Sequence, residues 1–157
     1  MTNPSFNQAL SSPYKIVDGK IELTITNTDT HKTRTVEKYS KLSLHRGFIG
    51  AELIESGLVT HVFYISMSGN FRLGKTDLVA NTKNTALHYD NWTDDWTPIP
   101  GTEGTGWLDV TELKFNPIDP LGAPIYLKGK SEFSFTSNNS PFKVSVNITM
   151  GNPSPIK

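Results

Sequence analysis

Every second residue is apolar in three segments of the chain: IELTITNT (residues 21–28), SEFSFTS (131–137) and FKVSVNITM (142–150). Successive side chains of a β-strand point to opposite faces, so each of these segments predicts a strand with one buried and one solvated face. Helical periodicity is hard to find, and the Thr, Ser and Asn residues at the polar positions favour strands and turns.

The segment LVTHVFYISM (58–67) is apolar on both faces, which predicts a central strand covered on each side. Its phase places His61 among apolar neighbours, so we expect a hydrogen-bonded histidine in the core. Shorter strand candidates are residues 41–45, 48–53 and 125–128. Turn signals separate the candidates at Asp18-Gly19, Arg46-Gly47, Ser56-Gly57, residues 68–70, Lys128-Gly129 and residues 138–141.

In WLDVTELKF (107–115) the apolar residues change parity between Val110 and Leu113. A slip of one residue turns every side chain to the other face, so this change predicts a β-bulge near residues 111–112. Trp107 then lies on the polar face of its strand, where its ring can meet a ligand.

Together these patterns predict an all-β protein: one antiparallel β-sandwich, jelly-roll or Greek-key-like, with about seven to nine strands and one long aromatic and acidic loop. Residues 1–157 are expected to form one domain, because a chain of this length can bury a sizeable core. Residues 1–12 are expected to be a flexible N-terminal segment, and residues 151–157 a C-terminal tail.

Alternation disappears from about Asn81 to Gly106, and a patternless region of this length is usually a misread strand or a functional loop. It overlaps residues 88–110, which contain all three tryptophans, five carboxylates and neither Lys nor Arg. Aromatic rings pack against the C–H faces of sugars, and Asp and Asn side chains can bond their hydroxyl groups. The predicted ligand-binding residues are Tyr89, Asp90, Asn91, Trp92, Asp94, Asp95, Trp96, Glu103 and Trp107.

Composition excludes several other functions. No cysteine is present, which rules out disulfides, thiolate zinc sites and a cysteine nucleophile. The formal net charge is zero, without the basic surplus of a nucleic-acid binder, and this neutrality permits self-association. The first fifteen residues lack the pattern of a secretory signal, and no apolar stretch reaches the length of a membrane span. We therefore expect a chain that is cytoplasmic at synthesis, with release by a route that needs no signal peptide left open.

Metal and catalytic motifs are sparse. The four histidines form no zinc-binding motif, although His88 and Asp90 would share a face of a strand. No metal or other cofactor is expected; the alternative is an irregular calcium loop that uses Asp90, Asp94 and Asp95. No nucleophile elbow or phosphate-binding glycine loop occurs, so we assign no catalytic residue.

The fragment Gly101-Thr102-Glu103-Gly104, beside tryptophans and aspartates, is similar to part of the aegerolysins, small cysteine-poor β-sandwich proteins that bind membrane lipids. The Tyr-Trp-Asp and Pro-Trp-Gly cluster of that family is missing here. The likeness therefore serves as an analogy for architecture, and no family residue is carried over.

The sequence thus predicts a non-enzymatic, lectin-like recognition module that binds carbohydrate or another neutral cell-surface ligand. One alternative is a self-assembling structural protein whose tryptophans bury against another subunit, and a second is a small lipid-binding, toxin-like β-sandwich. A third is a glycoside-acting enzyme that takes its two carboxylates from Glu103, Asp109 and Glu112.

Overall fold

The computed structural model describes residues 17–91 and 99–153, and of Pro100 only the backbone. The described residues form ten β-strands and no helix. These strands are β1 (Gly19–Asn27), β2 (Thr33–Val36), β3 (Lys41–His45), β4 (Phe48–Glu55), β5 (Leu58–Ser66), β6 (Gly74–Leu78), β7 (Thr85–Asp90), β8 (Ile99–Asn116), β9 (Asp119–Ser137) and β10 (Ser140–Gly151). Among these residues there is no helix that is long and apolar enough to cross a membrane.

All ten strands belong to one antiparallel sheet in the order β2-β1-β10-β9-β8-β7-β5-β4-β3, and β6 adds to the second half of β8. The sheet curls into a half-barrel, so that β3 packs against β9 and β10 across the interior. The prediction of an all-β antiparallel fold is confirmed. The finer prediction of a sandwich with jelly-roll or Greek-key connections is not, because the strands form one continuous curled sheet.

The two edge strands of this sheet, β2 and β3, are consecutive in sequence. Residues 37–40 join them and span the open side of the half-barrel. Ser40 anchors the end of this link to β4, since its amide donates to the Glu52 carbonyl and its side chain accepts from the amide of Ile54. Strands β2 and β3 therefore form the two edges of the half-barrel, and this link joins them.

The interior is filled by the inward residues of the alternating strands. Strands β1 and β10 contribute Ile21, Leu23, Ile25, Phe142, Val144, Val146, Ile148 and Met150, as their sequence pattern predicts. Strand β5 is buried on both faces, again as predicted, because Phe63 and Ile65 face the interior while Val62 and Tyr64 join Phe48 and Leu87 in a second apolar cluster.

The stretch without alternation is largely strand. Strand β7 shows no alternation because both of its faces are covered, and the first half of β8 shows none because Gly104 and Gly106 occupy inward positions. A Cβ at Gly104 would meet the Phe133 ring, and one at Gly106 would meet the backbone of Glu132 and Phe133. The long loop predicted here is therefore wrong where β7 and β8 lie, and residues 92–98 are outside the described residues.

Tight turns lie where the sequence predicts them at Arg46-Gly47, Ser56-Gly57 and Asn138-Asn139, where positive φ angles suit Gly and Asn. The turn predicted at Lys128-Gly129 is wrong. Gly129 lies within β9, where a Cβ would meet the backbone of Asp109 and Val110, so this glycine permits the close approach of β8. The predicted bulge is confirmed, because the register of β8 with β9 shifts between Val110 and Glu112.

Candidate functional site

Four of the predicted ligand-binding residues, Trp92, Asp94, Asp95 and Trp96, lie outside the described residues. Their part in ligand binding stays a prediction, and so does the calcium loop that would use Asp94 and Asp95. The remaining predicted residues lie on β7, directly after it, or on β8.

The described residues of this set occupy different surroundings. Asp90 is fully buried and shares the inward face of β7 with His88, whereas Tyr89 lies on the opposite face against the second apolar cluster. Asn91 is exposed, and the side chain of Glu103 accepts a hydrogen bond from the amide of Asn81. The structure therefore does not gather these residues into one surface site.

Trp107 is half-buried on the outward face of β8, as its parity predicts. In register, Trp107 lies between Asp77 of β6 and Glu132 of β9. The Lys75 ammonium nitrogen lies 4.5 Å from the centroid of the indole ring. A face of the indole is thus covered by an exposed lysine side chain that a ligand can displace, and Trp107 is the tryptophan whose surroundings the described residues define.

The carboxylates considered for glycoside hydrolysis are spread along β8. Glu103 and Asp109 are six residues apart, or about 20 Å at the usual strand rise, which is too far for a catalytic pair. Beyond the bulge, Glu112 lies 3.9 Å from the Lys128 ammonium group and accepts a hydrogen bond from Tyr126. Glu103 with Asp109 therefore does not form the required pair.

A second candidate lies inside the half-barrel, where His61, His88 and Asp90 are all fully buried. The register of β5 with β7 explains why they meet: His61 pairs with Asp90, and the neighbouring inward position of β5, Phe63, pairs with His88. The histidine rings lie edge to face with centroids 4.8 Å apart, and His88 stacks on Phe135.

Two side chains from the open side of the sheet reach this cluster. Arg34 of β2 donates a hydrogen bond of 2.6 Å from Nη1 to Asp90 Oδ1. Tyr39, from the link between β2 and β3, shares a hydrogen bond of 2.9 Å between its hydroxyl group and His61 Nε2. Both contacts reach strands that are not neighbours of β2 in the sheet, so the polar cluster also connects the edge strand β2 and its link to β5 and β7.

Burial keeps both histidines neutral. It lowers the pKa of His61, although the Asp90 carboxylate partly offsets this effect. The pKa of His88 falls well below the ordinary histidine value, first through burial and then through the nearby His61 and Arg34. Burial and the charge of Asp90 together raise the pKa of Tyr39. The cluster at neutral pH therefore contains two imidazoles, a phenol and a carboxylate paired with a guanidinium group.

Several buried polar atoms of this cluster have no hydrogen-bond partner among the described residues. These atoms are His61 Nδ1, both ring nitrogens of His88, and Asp90 Oδ2. His61 Nδ1 and Asp90 Oδ2 are 3.8 Å apart, which is too long for a hydrogen bond. Since an unsatisfied buried polar group costs about 1–3 kcal/mol, such a group in a folded protein calls for an explanation.

Periodicity along the strands predicts part of this cluster. The parity of β5 predicts that His61 is buried and hydrogen-bonded, which is confirmed, and the spacing of His88 and Asp90 predicts their common face, also confirmed. Arg34 and Tyr39 were missed. They lie far from β7 in sequence, and only the order of the strands brings them to it.

Comparison of the chain with models of protein families, with curated proteins and with solved structures finds no match. Fold and function therefore rest on the residues themselves.

Proposed function

We propose that this protein is a non-enzymatic recognition module that binds carbohydrate, or another neutral ligand rich in hydroxyl groups, on the outward face around Trp107. The observation that carries the proposal is the position of the indole ring. It lies on a solvated sheet face, flanked in register by the carboxylates of Asp77 and Glu132, under the ammonium group of Lys75.

The chemistry of this face suits a sugar. An indole offers a broad apolar surface to the C–H groups of a pyranose ring, while neighbouring carboxylates accept hydrogen bonds from its hydroxyl groups. Asp109 lies two residues from Trp107 along the same face and adds a third acceptor.

The charges of the face favour a neutral ligand. Lys75 and Lys130 are both paired in register with Asp109, so cations and carboxylates alternate around Trp107. Such alternation gives neither a positive nor a negative surface, in keeping with the zero net charge of the chain. A phosphate-rich or otherwise polyanionic ligand would gain little here.

A ligand on the indole has to displace Lys75. The side chain of Lys75 is exposed, and a cation–π contact at an exposed site contributes only about 0.5–1 kcal/mol. Displacement of Lys75 therefore costs little free energy, and removal of its side chain should expose the face of the indole ring.

A glycan array, with a panel of zwitterionic and anionic liposomes alongside, tests the proposal. We expect a neutral glycan to bind, Trp107→Ala to weaken its binding at least about 10-fold, and Lys75→Ala to retain or strengthen it. Trp92→Ala and Trp96→Ala in the same assay measure the part of the preceding segment.

Three other results would count against the proposed binding face or function, each in a different way. Binding that survives Trp107→Ala would place the ligand elsewhere on the molecule. Binding to liposomes without any glycan would favour the lipid-binding alternative, and a lack of binding to either panel would contradict the recognition function.

A further inference from the structure

His61, His88 and Asp90 lie side by side inside the half-barrel, and each has at least one buried polar atom without a hydrogen-bond partner among the described residues. Each residue offers a ligand atom, and these atoms all lie within 4.8 Å of one another. His88 is the most informative member, because it is fully buried while neither ring nitrogen has a hydrogen-bond partner among the described residues. Packing against Phe135 would be served as well by an apolar side chain, so packing does not account for an imidazole there.

The spacing of these atoms is close to that of a metal site. A zinc ion binds nitrogen and oxygen at about 2.0–2.2 Å, which places neighbouring ligands of a tetrahedral site about 3.4 Å apart. His61 Nδ1 and Asp90 Oδ2 are 3.8 Å apart, close to this value. His61 and Asp90 are directly paired across β5 and β7, so the strand pairing itself holds these two ligands side by side, and a bound ion would draw the three ligand atoms in from spacings of up to 4.8 Å.

Two residues that do not bind the metal themselves hold the ligands His61 and Asp90 in the required orientation. Metal binding through Nδ1 of His61 requires the ring proton on Nε2, where the Tyr39 oxygen, 2.9 Å away, can accept it. Arg34 occupies Asp90 Oδ1 and leaves Oδ2 for the interior. Outer partners of this kind fix the tautomer and direction of metal ligands.

We propose that His61, His88 and Asp90 form a binding site for one divalent transition-metal ion with the ligand preferences of Zn²⁺. Two imidazole nitrogens and one carboxylate oxygen suit such an ion, whereas Ca²⁺ and Mg²⁺ require oxygen ligands. The site lies inside the half-barrel, so it is distinct from the ligand face proposed around Trp107.

Charge indicates what completes the coordination. The Arg34 guanidinium already balances the Asp90 carboxylate, so a bound ion would bring two uncompensated positive charges into the interior. A fourth ligand with negative charge, such as hydroxide, offsets part of that cost. This is the three-ligand, open-position arrangement of metal sites that keep a water molecule.

The test uses the full chain after treatment with a chelator. Titration calorimetry with Zn²⁺ should show one ion per chain, the melting temperature should rise with added Zn²⁺, and Co²⁺ should give the visible absorption of a four-coordinate site. Ca²⁺ should produce none of these effects. A chain that binds none of Zn²⁺, Co²⁺, Ni²⁺ and Cu²⁺ would overturn the proposal and leave an ordered water molecule as the occupant.

Variants locate the ion. His88→Leu should lower Zn²⁺ affinity at least about 100-fold, while the metal-free variant melts at the same or a higher temperature because an unpaired buried polar group has been removed. Tyr39→Phe should weaken binding by about 10- to 100-fold. The matched control is His31→Asn, which removes an exposed histidine at a backbone conformation that asparagine accepts and should bind Zn²⁺ as the parent does.

The outcomes remain decisive if one variant fails to fold. His88→Gln then replaces His88→Leu, and the Co²⁺ spectrum of the unaltered chain reports whether the site is four-coordinate without any variant. Zn²⁺ binding that is equal in the parent, the His88 variant and the His31 control would place the ion elsewhere and contradict the assignment.

Discussion

Two neutral imidazoles inside the half-barrel make stability sensitive to acid. His61 and His88 have lowered pKa values because they are buried, so below about pH 6.5 the unfolded chain takes up protons that the folded chain does not. Stability is therefore complete above that pH and is lost as the pH falls, by up to about 1.4 kcal/mol per pH unit for each histidine.

Urea unfolding of the chelator-treated protein from about pH 8 to pH 5 checks this expectation. The parent should lose stability more steeply than His88→Leu below about pH 6.5, because the variant has one fewer histidine to protonate on unfolding. If stability falls with pH equally steeply in the parent and in His88→Leu, then His88 takes up a proton equally well in the folded and the unfolded chain.

At the scale of strands, the contact between β8 and β9 depends on glycine. A Cβ at Gly106 would collide with the backbone of Glu132 and Phe133, and backbone atoms cannot move aside as the end of a flexible side chain can. We expect Gly106→Ala to lower the free energy of unfolding by about 1–3 kcal/mol or more. Gly69→Ala is the control, because a Cβ there meets nothing within 4 Å and should change stability by less than about 0.5 kcal/mol. Equal stability of the two variants in urea unfolding would refute the close approach.

Burial on both faces and inward glycines explain why alternation predicts some strands and misses others. Strands β1 and β10 have one buried and one solvated face, so their alternation predicts them. Strand β7 and the first half of β8 lack that contrast, the former because both of its faces are covered and the latter because glycine stands at inward positions. The loss of alternation therefore predicts a loop where the structure has β7 and the first half of β8.

Periodicity also limits what the sequence predicts about the two candidate sites. Parity along one strand predicts the outward position of Trp107, the inward position of His61 and the common face of His88 and Asp90, but not that this common face is buried. It cannot predict that β2 and the link after it reach β7 and β5 on the other side of the half-barrel, and so it cannot predict the contacts of Arg34 and Tyr39. Those contacts depend on strand order, which periodicity does not contain.

At the scale of the whole molecule, distant parts of the chain must pair before the sheet is complete. Gly19 pairs with Met150, and β2 is held to the rest of the sheet through β1. All-β proteins dominated by such distant pairings fold in milliseconds to seconds. Stopped-flow refolding monitored by tryptophan fluorescence should therefore show a main phase on this timescale, and a main phase in microseconds would contradict it.

The pairing of β1 with β10 has a further consequence during synthesis on the ribosome. Strand β1 is made early, yet the partner that covers its edge, β10, is the last of the described strands to emerge. Until then Ile21, Leu23 and Ile25 form an uncovered apolar strip on a nascent chain, the kind of surface that chaperones bind and that aggregates when left free. The edge of β1 that pairs with β10 in the folded protein thus stays unpaired until the last of the described strands has been synthesised.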